Sequence, residues 1–229
     1  VTEDITELSG KDVLTGGYNR QGFIHNSENI FRHCDDRTDY AVLYFNVRNF
    51  KAVNELFGVD IGDNVLRTIY KNLRSSSLKP CVVARVEADQ FTCLVEKKKL
   101  DFDALSGLCE WNFTKNGKTM HIFCGCGIFF VENKEMSING MIDRAKLAKK
   151  YITDEYVKPY NIYDVSMKSY YIDRAELAGE LRNGLAQEQF KVYYQPVVDA
   201  KTGEIRSAEA LIRWMHPKRG FVSPAIFIP

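Results

Sequence analysis

The sequence predicts an α+β fold, a mainly antiparallel sheet covered by helices, and three observations carry that prediction. Residues 81–95 hold two runs rich in β-branched and apolar residues, separated by Glu87, Ala88, Asp89 and Gln90. Strand, tight turn, strand is the reading. Residues 40–47 form a nearly continuous apolar run, as expected of a strand buried on both faces. The order of periodic segments, βααββαββαβ, puts the antiparallel hairpin at the centre.

Each element follows from local pattern. A Gly-punctuated turn at 12–17 leads into a helix that runs to about His33. After the strand at 40–47, Asn49 opens a helix containing Phe50, Lys51 and Asn54, which breaks at Gly58. A second helix starts near Gly62 and Asp63, where Val65, Leu66, Ile69 and Leu73 repeat at the helical period. Beyond the hairpin, 102–112 reads as a helix and 119–131 as a strand pair or one long strand. Ser137 caps a helix with Met141, Ala145 and Ala148 on one side, and 160–163 closes the sheet. Residues 165–171 read as a linker. Asp173-Arg174-Ala175-Glu176 then reads as a capping box for a helix carrying Leu177, Leu181 and Leu185. Strands at 190–198 and 205–214, joined by a turn at 201–204, end the chain.

Composition sets outer bounds. The 229 residues, 45% of them apolar, can furnish one large or two small cores. Thirty-one basic against 30 acidic residues leave a formal +1, which argues against nucleic acid or a membrane surface as a charge-driven partner. No segment has the length and apolarity of a membrane span, and Val1-Thr2-Glu3-Asp4 does not begin a signal peptide. Cys34, Cys81, Cys93, Cys109, Cys124 and Cys126 show no CxxC pair and no zinc spacing, so they read as small core residues of a reducing, cytoplasmic protein. Cys124 and Cys126 alternate and should share one buried face. The start without Met and the stop in the apolar run Phe227-Ile228-Pro229 suggest a piece of a longer chain.

Two sets of motifs go further. Asp12, Leu14, Thr15, Gly16, Asn19, Arg20 and Phe23 fit D-x-LTG-x-x-NR-x-x-F. Phe50, Lys51 and Asn54 fit FK-x-x-N, and Gly58, Gly62, Asp63 and Leu66 fit G-x-x-x-GD-x-x-L. With the hairpin from Arg85 to Phe91 and the segment Asp143-Arg144-Ala145 to Lys150, the chain resembles the GGDEF family, diguanylate cyclases that join two GTP molecules into cyclic di-GMP. Tyr194-Gln195-Pro196, Glu209-Ala210-Leu211 and Arg213-Trp214 resemble the opening of an EAL domain, the cyclic di-GMP phosphodiesterase. So do Pro217, Gly220 and Ser223-Pro224. The resemblance implies a nucleotide-cyclase-like ferredoxin-type core over 8–164, after a lead-in at 1–7 from an upstream region. It implies the first hairpin of a TIM-like EAL barrel over 172–229.

The first site departs from its family's pattern. Asn46 and Arg48 stand where the family has two aspartates, Glu87 and Ala88 replace Gly-Gly, and Gln90 replaces the Glu. Asp89 alone matches an acid. Magnesium holds to oxygen, preferably carboxylate, so Asn46 keeps an oxygen but loses the charge. Arg48 beside a divalent ion would cost about 6 kcal/mol at a dielectric of about 20, unless it points away or itself takes the cation's place against phosphate. Ala88 adds a Cβ where glycine tolerates positive φ, and Glu87 would repel a triphosphate. The expectation is a catalytically degenerate domain with Asp89 as a weak metal ligand.

The base-reading positions stay in register. By resemblance Asn54 and Asp63 bond guanine while Lys51 and Lys150 face phosphate, the bland alternative being that Asn54 and Asp63 are helix caps. In the EAL stretch, period 2 puts Glu209, Leu211 and Arg213 on one strand face. The resemblance makes Glu209 a ligand for Mg²⁺ or Mn²⁺ and gives Gln195 and Arg213 the substrate, in the intact protein only. The implied partners are GTP (weakly), cyclic di-GMP through a complete EAL domain, an upstream sensory domain and a second copy in a homodimer. The role expected of the GGDEF part in this bacterial signalling protein is regulatory, the alternatives being a protein-interaction scaffold or a residual cyclase.

Overall fold

The structure, a computed structural model, describes residues 10–35, 37–115 and 117–228. The expected lead-in at 1–7 and the domain start at Leu8 lie outside the described residues. The chain divides into two compact units, Val1–Met167 and Lys168–Pro229.

In the first unit the order is α1 (Arg20–His33), β1 (Tyr40–Val47), α2 (Phe50–Phe57), α3 (Val59–Arg74), β2 (Val82–Glu87) and β3 (Gln90–Glu96). Then come α4 (Phe102–Cys109), β4 (Glu110–Lys115), β5 (Lys118–Phe130), α5 (Ile138–Lys150) and β6 (Tyr160–Ile162). The sheet runs β2-β3-β1-β5-β4, all antiparallel, and β6 adds to β5 in parallel. The predicted order and the mainly antiparallel sheet are both present.

Strand β1 lies mid-sheet and has a core on each face. Ala41, Leu43, Phe45 and Val47 pack with Val65, Leu66, Ile69 and Leu105 of α3 and α4. Tyr40, Val42 and Tyr44 pack with Phe23 of α1 and Ile138, Met141, Ile142 and Ala145 of α5. This two-sided burial is why the strand lacks a polar face. Cys93, Cys109, Cys124 and Cys126 are buried in the first of these cores, whereas Cys34 is half-buried and Cys81 exposed. Burial pushes the Cys109 thiol up to about 12.

Three boundaries differ from expectation. Helix α3 begins at Val59, a turn before Gly62, because Gly58 (φ +88°) ends α2 and directly heads the next helix. Helix α4 stops at Cys109, and Glu110–Lys115 is a strand paired with the first half of β5. The expected helix over 102–112 therefore ran three residues too far. Asp173 and Glu176 cap nothing. The helix there, α6 (Val165–Ala186), has already run two turns, and both carboxylates instead bind Arg219. It also covers the stretch read as a linker.

The second unit contains most of α6, then β7 (Phe190–Val198), β8 (Ile205–His216), β9 (Gly220–Val222) and a short α7 (Pro224–Phe227). Beyond the expected hairpin, β9 makes the sheet three-stranded. Its core is small, with Leu177, Trp214 and Val222 backed by Phe190 and Phe227. Buried His216 accepts at Nδ1 from the amides of Lys218 and Arg219, so Nε2 carries the proton donated to Glu180 at 2.6 Å. No helix among the described residues is long and apolar enough to cross a membrane.

One contact sets the placement of α5. A Cβ at Gly127 of β5 would stand 1.8 Å from the Ala145 carbonyl oxygen and 2.6 Å from the Lys149 amide nitrogen. Both atoms are helix backbone and cannot swing aside, so Gly127→Ala should push α5 off the sheet and cost about 1–3 kcal/mol, at the upper end of that range. Urea unfolding should show a lower midpoint with unchanged slope.

Candidate functional site at the end of β1

The end of β1 meets the β2–β3 turn. Asn46 pairs in register with Gln90 on one side and Gly125 on the other. Its amide Nδ2 donates to Asp89 Oδ2 at 2.8 Å, and the Val47 amide donates to the Asp89 carbonyl at 3.3 Å. A carboxylate can only accept, so the amide turns its nitrogen, not its oxygen, toward Asp89. Burial raises the Asp89 carboxyl above its ordinary value, outweighing the hydrogen bonds from its own backbone and Asn46 and the charges of Lys149 and Arg85.

Arg85 fixes the hairpin. Its Nε donates to the Ala88 carbonyl at 2.6 Å, and Nη1 reaches Asp12 Oδ2 at 3.1 Å. Asp12 in turn accepts from the amide and hydroxyl of Thr15, closing the Gly-punctuated turn that opens the domain. Ala88 sits at φ +42°, so the position reserved for glycine keeps its left-handed backbone while carrying a Cβ. Glu87 and Ala88 are exposed, and Gln90 is half-buried.

Beside this turn lies a cavity of about 610 Å³, lined among others by Asn46, Arg48, Lys149, Glu155 and Tyr156. Arg48 is engaged by two other lining residues. Its guanidinium lies 4.6 Å from the Tyr156 ring centre and 3.9 Å from Glu155 Oε2. Lys149 Nζ stands 3.0 Å from Glu155 Oε1. Lysine 149, not Lys150, is thus the cavity lysine, and Lys150 lies exposed on α5. Neither Lys149 nor Glu155 was singled out from sequence. Lys149 falls one residue off the motif register, and Glu155 lies in a loop with no motif at all.

The two positions that the resemblance assigns to guanine sit elsewhere. Asn54 is inside α2 and Asp63 inside α3, so neither is a helix cap, and that alternative falls. Asn54 Oδ1 is buried without a hydrogen-bond partner, and a Cβ at Gly62 would stand 1.9 Å from it. Gly62 leaves this amide its room. Lys51 is exposed and pairs with Glu55 at 3.6 Å on its own helix.

A divalent cation at the end of β1, which the cyclase resemblance implies, does not fit these residues. Asp89 is the one acid among the matched positions, its Oδ2 accepts from the Asn46 amide, and Lys149 already bears on it. No group of three or more His, Cys, Asp or Glu among the described residues is placed to hold a metal.

In the second unit, Gln195 lies directly opposite Glu209 and Lys191 opposite Arg213. The strand pairing therefore joins the three predicted EAL residues on one sheet face, the one opposite Trp214. Gln195 and Glu209 are exposed, while Arg213 Nη1 donates to the Ile212 carbonyl at 3.0 Å. Glu209 lies in the first half of β8.

The raised Asp89 carboxyl makes a pH prediction. The folded state holds this proton more tightly than the unfolded chain, so Asp89 costs stability as pH rises from the ordinary 3.8 through its raised value. Asp89→Asn removes that cost and leaves an oxygen for Asn46. Denaturation midpoints of variant and wild type should diverge in the variant's favour as pH climbs through that window. Parallel curves across it would show that Asp89 is not desolvated.

Comparison with known proteins supports both motif readings. The family model described as diguanylate cyclase, GGDEF domain, matches residues 9–151, and the EAL domain model matches residues 178–229, a partial domain. The bifunctional diguanylate cyclase/cyclic di-GMP phosphodiesterase MucR of Pseudomonas aeruginosa is 27% identical over 99% of this chain, which spans 34% of MucR. The cyclic di-GMP phosphodiesterase NbdA of the same organism is 26% identical over 98% of this chain, or 29% of its own length. Among solved structures, the coiled coil and GGDEF domain of DgcB from Caulobacter crescentus, in complex with c-di-GMP, superposes with a TM-score of 0.57. The identity is 16%, over 70% of this chain and 89% of that one. The GGDEF domain of PA1120 from Pseudomonas aeruginosa gives 0.56 at 21%, over 66% and 99%. This chain belongs to the GGDEF family and carries part of an EAL domain after its GGDEF domain.

Proposed function

We propose that this chain is part of a cyclic di-GMP signalling protein whose GGDEF domain makes no cyclic di-GMP and serves as a regulatory module for an EAL phosphodiesterase. One observation carries the first half: the Asn46–Asp89 hydrogen bond occupies the acid that a cyclase would give to metal. Phosphodiester formation needs an α-phosphate polarised by metal and an activated 3′-hydroxyl. Asn46 and Gln90 offer neither charge nor base, and Arg48 adds a cation.

The regulatory ligand of this reading is GTP, bound weakly and without magnesium. The buried, unpartnered Asn54 oxygen supports it, because a native acceptor of that kind costs free energy unless something donates to it. Guanine, with N–H donors on its Watson–Crick edge, is such a donor, and Asp63 on the next helix, which matches the family's second guanine position, would share it. If so, Asp63→Ala should weaken GTP about 5- to 150-fold in calorimetry, the equivalent of roughly 1–3 kcal/mol. Equal affinity for ATP and GTP would leave the scaffold reading in its place.

The output of the reading is hydrolysis of cyclic di-GMP by the complete EAL domain. There Glu209 would help hold a Mg²⁺ or Mn²⁺ ion, whose chemistry when bound would be activation of water, and Gln195 and Arg213 would hold substrate. Their shared sheet face supports the assignment, as does the naming of NbdA as a phosphodiesterase. The full-length protein, given cyclic di-GMP, should form linear pGpG and lose that activity on Glu209→Ala. Given GTP, it should yield no cyclic di-GMP. Cyclic di-GMP formation that disappears with Asp89→Ala would restore the cyclase.

A further inference from the structure

The end of β1 carries two cations and a carboxylate between them. Arg48 emerges just after the strand, Lys149 comes from the end of α5, and Glu155 comes from the loop that follows. Lys149 Nζ and Arg48 Nη1 approach different oxygens of the same carboxylate, at 3.0 and 3.9 Å. The Glu155 and Lys149 side chains are only 15% and 20% exposed. An anion held by a guanidinium and an ammonium in the lining of a cavity of about 610 Å³ has the chemistry of a bound phosphate. Here the protein provides the anion itself.

The backbone around the pair accommodates it. Opposite Asn46 on β5 stands Gly125, where a Cβ would lie 2.5 Å from Lys149 Cε and 2.7 Å from Glu155 Oε1. The Glu155 loop is tied down by its neighbour, since Asp154 Oδ1 accepts from the Tyr156 amide at 2.8 Å and the Lys158 amide donates to the Asp154 carbonyl. Tyr156 then stacks against Arg48 and meets the Phe123 ring edge-on at 4.8 Å.

We propose that Arg48 and Lys149 form a polyphosphate site that works without metal, and that Glu155 is its built-in counter-ion, closing it until the side chain leaves. The inference deepens the regulatory reading above, on which its biological meaning rests. Pyrophosphate, which has no base, tests it apart from guanine recognition. In EDTA, the 229-residue chain with Glu155→Gln should bind pyrophosphate at least tenfold more tightly than wild type, and adding Lys149→Ala should abolish the gain. Circular dichroism checks the fold. If Glu155→Gln does not fold, Glu155→Asp, which withdraws the charge from Lys149, should give a smaller gain of the same sign. Equal binding by wild type and variant, a gain that survives loss of Lys149, or a gain that needs Mg²⁺ would each overturn the proposal. A gain for pyrophosphate with no preference for GTP over ATP would uphold the site and remove the guanine reading.

Discussion

Burial of β1 on both faces is the constraint from which the rest of the first unit follows. A strand with Leu43 and Phe45 facing one core and Val42 and Tyr44 the other needs helices above and below. It needs neighbouring strands on both edges too, since its backbone groups cannot reach water. β3 and β5 supply those edges over nearly its full length. Once the strand leaves the sheet the chain must turn polar, and Asn46, Arg48 and Asn49 stand there. The site is the place where a fully buried strand surfaces.

Chemistry at that point depends on one charge. With a carboxylate at the end of β1, it and Asp89 would repel each other, and a cation would relieve the repulsion. An amide at position 46 instead donates to Asp89 and removes the need. Burial raises the Asp89 carboxyl, and the hydrogen bonds from its own backbone and Asn46 and the charges of Lys149 and Arg85 only partly offset it. An amide at position 46 therefore removes one of the charges that would call for a divalent ion, while the cations beside it, Arg48 and Lys149, are balanced by Glu155.

Much of this was legible because it is local. The strand at Tyr40–Val47, the break at Gly58 and the cap at Ser137 each rest on a few adjacent residues and stand where the pattern put them. The error at 110–112, where a helix was expected and a strand begins, was also local. Trp111 and Phe113 are partly buried while Glu110, Asn112 and Thr114 are exposed, a period-2 signal that a helix-length window averages away. The capping box at Asp173 failed for a different reason. Asp and Glu three apart suit a helix start and equally suit two partners for one arginine, and only Arg219, 46 residues on, decides between them. Glu155 was invisible because it sits in a loop without a motif, and although Lys149 is only six residues back, its other partner, Arg48, comes from the distant end of β1. Residues that act through tertiary neighbours leave no spacing to read.

The hairpin shows how a site can change while its frame persists. Ala88 in a left-handed conformation costs about 1–2 kcal/mol relative to the right-handed form. On its own, that strain would favour a different turn and shift the register of β3 by a residue, turning Phe91 and Cys93 away from the core. The register holds because Arg85 grips the turn through the Ala88 carbonyl and ties its strand to the opening loop, by its side chain on Asp12 and its amide on the Tyr18 carbonyl. Those contacts involve the backbone of the turn and none of the side chains at 87, 88 or 90. Substitutions there alter what the turn presents to a ligand without loosening the strands that carry it.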